Sequence, residues 1–163
     1  MVTFFSTDEL LDIAVGIEKN GQIFYKSMAE RASNEATRSM YRFLAEAEKH
    51  HESVFEKMRN DGLRITVPES YAGEYAEYLN SLVNSLVFKN PRDAKQQSRG
   101  SSEIEALTTG IQAEKDSIIF YSEVLSMAKD SDKANLEAII REEKSHLQQL
   151  AGLKSYLETP RGG

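Results

Sequence analysis

Two Glu-x-x-His motifs are the strongest chemical signal in this sequence. The first is Glu48 with His51, and the second is Glu143 with His146. Residues three positions apart on an α-helix are separated by about 4.5 Å along the axis and about 60° around it, so they can reach one metal ion together. One such motif is weak evidence, but two at matching positions indicate a metal site.

An internal repeat adds one glutamate to each motif. Residues 16–25 (GIEKNGQIFY) match residues 112–121 (QAEKDSIIFY), which aligns Glu18 with Glu114 and Tyr25 with Tyr121. Each of these glutamates precedes the glutamate of a Glu-x-x-His motif, by 30 residues in one half and 29 in the other. This spacing is expected if two helical hairpins are related by a pseudo-twofold axis.

These glutamates and histidines interrupt apolar stripes. Glu114, for example, completes a stripe between Ile111 and Ile118. Burying unpaired carboxylates is costly, and none of the inward stripes carries a lysine or arginine to compensate. Two divalent cations would neutralise four carboxylates, and two neutral imidazoles would complete the coordination. The candidate metal ligands are Glu18, Glu48, His51, Glu114, Glu143 and His146.

Four long helices are predicted to carry these residues. Apolar residues recur at three- and four-residue steps, and the chain has only 3 prolines, which favours an all-α fold. Ser6 and Glu9 form a capping box at the start of the first helix. The predicted helices span about residues 7–32, 35–60, 102–129 and 131–159. Helices of this length, about 40 Å, are typical of a four-helix bundle.

We predict one domain over residues 1–163, built from two helical hairpins at about 7–60 and 102–158. A crossover of about forty residues, 61–101, joins the hairpins. Helical spacing of apolar residues from Tyr71 to Val87 predicts a shorter fifth helix. We interpret this helix as a cover for the bundle, although its weakly charged outer face would also suit a dimer contact. The polar stretch 89–98 is predicted to be an exposed loop.

Composition excludes several other classes of function. Of the 163 residues, 40% are hydrophobic and 28% are charged, and the formal net charge is −6, which suits a globular domain and disfavours binding of nucleic acid. The chain has no cysteine, so disulfides, thiolate metal sites and thiol catalysis are excluded. We find no export signal and no membrane span, and we expect a cytoplasmic protein that does not bind membranes.

With these motifs, the sequence resembles the ferritin-like di-iron carboxylate superfamily, and within it the rubrerythrin-type domain. The likeness covers about residues 7–158 and is carried by the long crossover and by the stretches GIEKNGQIFY, FLAEAEKHHE and REEKSH. It implies a ferritin-like four-helix bundle with two helices that each provide a Glu and two that each provide a Glu-x-x-His motif. The resemblance implies that Glu18 and Glu114 are terminal ligands and that Glu48 and Glu143 are bridging ligands. It also implies that His51 and His146 each bind one metal ion.

The resemblance also implies a function. We expect two iron ions, as Fe2+ or Fe3+, in an oxidoreductase that acts on hydrogen peroxide or dioxygen as a peroxidase or a ferroxidase. Because a rubredoxin-like domain requires cysteines, electrons are expected from a separate donor protein or from ferrous iron. We expect a homodimer, and exchange of hairpins between its chains is left open. The alternatives are an iron-storage shell protein and a helical module with a structural metal, including manganese or zinc.

Two positions depart from the rubrerythrin pattern. Strict rubrerythrins carry a further glutamate one turn after the third-helix ligand, where this chain has Ser117. The matching position of the first helix is Gly21. The site therefore resembles the six-ligand set of bacterioferritins, which weakens the case for an efficient peroxidase.

Two tyrosines lie near the candidate ligands and could act on the metal site through them. Tyr25 and Tyr121 lie on the ligand faces, about 10 Å along the axis from Glu18 and Glu114. We interpret them as hydrogen-bond partners of ligands or as electron relays, in preference to ordinary core tyrosines. The remaining neighbours are expected to face solvent: Glu46, His50, Glu52 and Glu142.

Overall fold

Six α-helices occupy the part of the chain that the computed structural model describes, residues 5–66, 72–100 and 102–160. The four long helices start and end within two residues of their predicted bounds, which confirms the all-helical bundle. None of the described helices is both long and apolar enough to cross a membrane. In chain order the helices are α1 (Thr7–Arg31), α2 (Glu35–Asn60), α3 (Ala72–Ser85), α4 (Pro91–Ser98), α5 (Glu103–Met127) and α6 (Asp130–Glu158).

Side-chain caps explain where three of the long helices begin. Ser6 Oγ accepts a hydrogen bond from Glu9 N at 3.1 Å, and Glu9 Oε2 accepts one from Ser6 N at 2.7 Å. The predicted capping box is therefore present. Asn34 and Ser102 cap α2 and α5 by accepting a hydrogen bond from the third residue of each helix. A cap of this kind contributes about 1 kcal/mol to helix stability.

Two apolar clusters fill the bundle on either side of its middle. On α1, Glu18 lies between Val15 of the first cluster and Phe24 of the second. On α6 the order is the same, whereas on α2 and α5 it is reversed; on all of these helices the candidate ligands lie between residues of the two clusters. The fold therefore places the polar residues at the centre of an otherwise apolar core.

The crossover contains the predicted fifth helix, which is α3. Ala76 and Leu79 bury its inner face, and the hydroxyl of Tyr75 donates a hydrogen bond to Glu123 on α5. These contacts confirm that α3 covers the bundle. Tyr71, the first residue of the predicted pattern, lies outside the described residues.

The polar stretch 89–98 is not the exposed loop that the sequence predicts. Its residues Pro91–Ser98 form α4, which Asn90 caps and which packs on α1. Ala94 and Ser98 are fully buried. The prediction was wrong because a helix of 8 residues with one buried apolar side chain is too short for hydrophobic periodicity to reveal.

Candidate metal centre

Four glutamates and two histidines lie together in the middle of the bundle, each at most 3% exposed. α1 and α5 contribute one glutamate each, whereas α2 and α6 contribute a glutamate and a histidine one turn apart. The structure brings together every residue of the predicted set. These residues are Glu18, Glu48, His51, Glu114, Glu143 and His146.

The donor atoms of the cluster form two overlapping groups of four, and within each group they lie within 4.8 Å of one another. The carboxylates of Glu48 and Glu143 belong to both groups. Two neighbouring cations could therefore share two carboxylates while each keeps one further carboxylate and one imidazole. The first group is completed by Glu18 and His51, and the second by Glu114 and His146.

Both histidines turn the same ring atom toward the carboxylates. His51 Nδ1 lies 3.5 Å from Glu18 Oε2 and 3.4 Å from Glu143 Oε1. His146 Nδ1 lies 3.0 Å from Glu143 Oε2 and 3.4 Å from Glu48 Oε1. The two rings are stacked, with centroids 5.7 Å apart. In each imidazole, Nδ1 is thus the atom available to a metal ion.

Several buried polar atoms of the cluster have no hydrogen-bond partner. Such atoms are rare in folded proteins because each costs about 1–3 kcal/mol. A metal ion would offset this cost by coordinating them, and carboxylate oxygen with imidazole nitrogen suits iron, manganese or zinc. The atoms are Glu18 Oε2, Glu48 Oε1, His51 Nδ1 and Glu143 Oε1.

Burial and mutual repulsion perturb the carboxylates. Desolvation, together with the charges of Glu48 and Glu143, raises the pKa of Glu18 well above its ordinary value. Desolvation and the same two charges also raise the pKa of Glu114. In contrast, the pKa of Glu143 is lowered to about 2, because the hydrogen bond from His146 and the nearby imidazole of the other motif outweigh its burial.

The imidazoles are held in their charged form by the carboxylates around them. Burial alone would lower the pKa of His51, but Glu143 and Glu48 raise it to about 9. Burial is likewise outweighed at His146, where Glu114 and Glu143 raise the pKa to about 12. A cation that binds through these imidazoles must therefore displace protons from them.

Two tyrosines connect the hairpins by hydrogen bonds to the glutamates of the opposite half. The hydroxyl of Tyr25 on α1 donates to Glu114 on α5, and the hydroxyl of Tyr121 on α5 donates to Glu18 on α1. Burial and the adjacent carboxylates raise the pKa of both phenols, so both stay protonated and keep donating. The sequence repeat reveals the tyrosine pair but not that each one reaches the other helix.

Glu142 faces solvent, as the sequence predicts, but it also contacts a residue of the cluster. Its side chain is 51% exposed, yet its Oε2 lies 2.8 Å from Nε2 of His51. Helical periodicity gives no signal for this contact, because it depends on how α2 and α6 face each other. Of the other residues expected to face solvent, Glu46 and His50 are exposed and Glu52 is partly buried.

A small cavity reaches the cluster from the side of α1 and α5. Its volume is about 30 Å³, which is room for one molecule of about the size of water. Gly21 and Ser117 line it together with Glu48 and Glu114. A Cβ atom at Gly21 would lie 3.1 Å from Glu48 Oε2 and 3.2 Å from Glu48 Cγ. Because Gly21 has no side chain, it leaves room for the Glu48 carboxylate in its observed position.

Two solved structures share the fold of this chain. A solved structure described as a ferritin-like diiron-carboxylate protein from Thermotoga maritima aligns with a TM-score of 0.70 at 24% identity, covering 93% of this chain and 96% of that one. A hypothetical protein from Pyrococcus furiosus aligns with a TM-score of 0.66 at 24% identity, covering 94% of this chain and 90% of that one. No curated protein matches the chain.

The family assignment comes from the sequence match. At 24% identity the two solved structures show the fold alone, and that fold is ferritin-like. The family model for rubrerythrin matches residues 9–154, a range that reaches into all four long helices and includes the whole buried Glu/His cluster. The chain belongs to the rubrerythrin family.

Proposed function

We propose that the cluster binds two iron ions and that the protein is an oxidoreductase acting on hydrogen peroxide or dioxygen. The observation that carries this proposal is the pair of overlapping donor groups. Two divalent ions would neutralise the four carboxylates, and they would supply partners for the buried atoms that lack hydrogen bonds. The family match and the diiron-carboxylate description of one structural neighbour support iron as the metal.

The six buried residues are the metal ligands in this proposal. Because Glu48 and Glu143 belong to both donor groups, they would help to hold both ions. Glu18 and His51 would hold one ion with them, and Glu114 and His146 would hold the other.

The surroundings of the cluster suit a reaction with a small oxidant. Iron, when bound, supplies electrons for reducing an O–O bond. The chain keeps bulk water away with an apolar cluster on either side, and the phenols of Tyr25 and Tyr121 orient two of the carboxylates. The cavity beside Gly21 and Ser117 has room for a molecule of about the size of water next to the ligands, so a small oxidant could approach them from this side.

The reducing electrons must come from outside these 163 residues, which contain no cysteine to hold an iron–sulfur centre or to act as a thiol donor. A separate donor protein would make the chain a peroxide reductase. Ferrous iron as the donor would make it a ferroxidase. The two possibilities share the centre and differ only in the source of electrons.

The proposal is tested by loading the apoprotein anaerobically with ferrous iron, removing excess metal, and counting the bound iron. Portions are then mixed with hydrogen peroxide or with dioxygen, and the absorbance of ferric iron is followed. We expect two irons per chain and rapid oxidation by at least one of the two oxidants. Size-exclusion chromatography on the same sample separates a small oligomer from a hollow storage shell.

Variants of the two shared carboxylates test whether the cluster binds the iron. Glu48→Ala and Glu143→Ala each remove a shared carboxylate and are expected to abolish the two-iron stoichiometry. Glu46→Ala removes an exposed carboxylate from α2, the helix of Glu48, and serves as the matched control. Fewer than about one iron per chain in the parent protein would contradict the proposal, as would unchanged iron binding in the two cluster variants.

A further inference from the structure

His51 has a carboxylate partner on the side of its ring that faces away from the cluster. Its Nδ1 faces Glu18 and Glu143, while its Nε2 lies 2.8 Å from Glu142 Oε2. When Nδ1 serves as a ligand, the proton of a neutral imidazole resides on Nε2 and is donated to Glu142. This contact holds both the tautomer and the orientation that metal binding through Nδ1 requires.

The corresponding position in the other half of the bundle carries no carboxylate. The pseudo-twofold repeat that matches Glu48 with Glu143 also matches Glu142 with residue 47, which is Ala47. The methyl side chain of Ala47 has no atom that could accept a hydrogen bond from His146. One turn before Ala47, the ring of Phe43 lies edge-on to the His146 ring, with centroids 6.3 Å apart.

The two donor groups share several other contacts. Each terminal glutamate accepts a hydrogen bond from one tyrosine of the opposite hairpin, and both imidazoles present Nδ1 to the carboxylates. The two shared carboxylates belong to both groups. The two halves therefore differ clearly in the residue that is available to Nε2, the imidazole nitrogen on the outer side of the cluster.

We propose that Glu142 is a positioning residue that makes the two metal subsites unequal. The subsite of Glu18 and His51 binds a divalent ion more tightly and fills first, and the subsite of Glu114 and His146 fills second. This inference rests on the proposed metal-binding function. Carboxylate partners of metal-ligating histidines typically change metal affinity by about 10- to 100-fold, so we expect a difference of at least about tenfold between the two dissociation constants.

The test is an anaerobic titration of the apoprotein with Co2+, followed by visible absorption and by calorimetry. The parent protein should show two binding steps. Glu142→Ala should weaken the tight step by about 10- to 100-fold and bring the two steps together. Glu142→Gln keeps an oxygen that can accept the hydrogen bond from His51, so it should restore part of the difference. Glu137→Ala removes an exposed carboxylate from the same helix and should change neither step.

A converse variant tests the idea without removing any contact. Ala47→Glu introduces a carboxylate at the position that corresponds to Glu142, and it should strengthen the weaker step while leaving the tighter one in place. Circular dichroism melting of each apoprotein shows that the variants are folded before titration.

Different outcomes separate this inference from the proposed function. Two Co2+ ions bound with equal affinity by the parent protein would overturn the inference and leave the metal centre intact. Equal titrations of Glu142→Ala and Glu137→Ala would overturn it as well. An apoprotein that binds no Co2+ at a defined stoichiometry would contradict the metal centre itself.

Discussion

Tyr25 and Glu114 lie 89 residues apart in the chain and are joined by a hydrogen bond in the middle of the bundle. Tyr121 and Glu18 make the corresponding contact in the other direction. Both bonds join α1 to α5, so each hairpin orients a carboxylate that belongs to the other. The cluster is therefore complete only when the two hairpins pack against each other.

Removing one of these phenols should destabilise the protein. Tyr25→Phe leaves the buried carboxylate of Glu114 without its donor, and we expect the free energy of unfolding to fall by about 1–3 kcal/mol. Urea denaturation of the apoprotein measures the change. Tyr78→Phe is the control, because the Tyr78 ring is 42% exposed and its bond to Glu123 lies at the surface. An equal loss in the two variants would argue against a special role for the buried bond.

Neutralising Glu18 should stabilise the apoprotein while it removes one of the two metal subsites. The raised pKa of Glu18 means that burial and neighbouring carboxylates make its ionised form unfavourable in the folded state. Glu18→Gln removes that charge and retains an oxygen that can accept from Tyr121. At pH 8 we expect the free energy of unfolding to rise, measured by denaturation, together with loss of one bound metal.

The control for that change is Glu46→Gln, which neutralises an exposed carboxylate on α2. It should alter neither stability nor metal content appreciably. A less stable Glu18→Gln apoprotein would contradict the prediction, because it would mean that the carboxylate is not a cost in the folded chain.

Metal affinity should increase with pH. With pKa values of about 9 for His51 and about 12 for His146, both imidazoles carry an extra proton at neutral pH and must lose it before Nδ1 can bind a metal. Release of one proton per ion would lower the apparent dissociation constant about tenfold per pH unit. Mn2+ titrations between pH 6 and pH 8, in buffers of different ionisation enthalpy, measure both the slope and the protons released. A flat profile would refute the assignment of the imidazoles as ligands.

The stability of the apoprotein should change with pH in the opposite sense. The pKa of His51 is raised from its ordinary 6.5 to about 9, so its charged form contributes stability that is fully present below pH 6.5 and is lost as the pH rises through 9. The raised pKa values of Glu18 and Glu114 act in the same direction above their ordinary 4.5. Thermal melting from pH 6 to pH 9.5 should show a falling midpoint for the apoprotein and a smaller fall for metal-loaded protein.

A methyl group at Gly21 should weaken metal binding but change the stability of α1 little. Glycine in a helix interior costs about 1 kcal/mol relative to alanine, so Gly152→Ala, with nothing within 4 Å of the new Cβ, should stabilise α6 by about that amount. Gly21→Ala gains the same helix propensity but places its Cβ 3.1 Å from Glu48 Oε2. We expect little or no net stabilisation, together with metal affinity about tenfold weaker. Calorimetric titration of both variants makes the comparison, and equal affinities would contradict it.

Much of the fold could be predicted because its signals are local. The apolar stripes of the long helices repeat over many turns, and Ser6, Asn34 and Ser102 mark three starts with side chains that cap the next turn. α4 escaped prediction because Pro91–Ser98 offers only one buried apolar residue, Ala94. Its position is determined by packing on α1, and so short a stretch shows no hydrophobic periodicity in the sequence.

The sequence by itself determined which residues form the cluster. Two Glu-x-x-His motifs and two further glutamates interrupt apolar stripes at matching places in an internal repeat, and the cost of burying carboxylates makes that pattern meaningful. Only the tertiary structure decided how these residues face one another. It shows that Tyr25 reaches Glu114, that Nδ1 of His51 is the inward ring atom, and that Glu142 rather than solvent meets its Nε2. Periodicity describes one helix at a time, whereas these contacts depend on the relative rotation and separation of two.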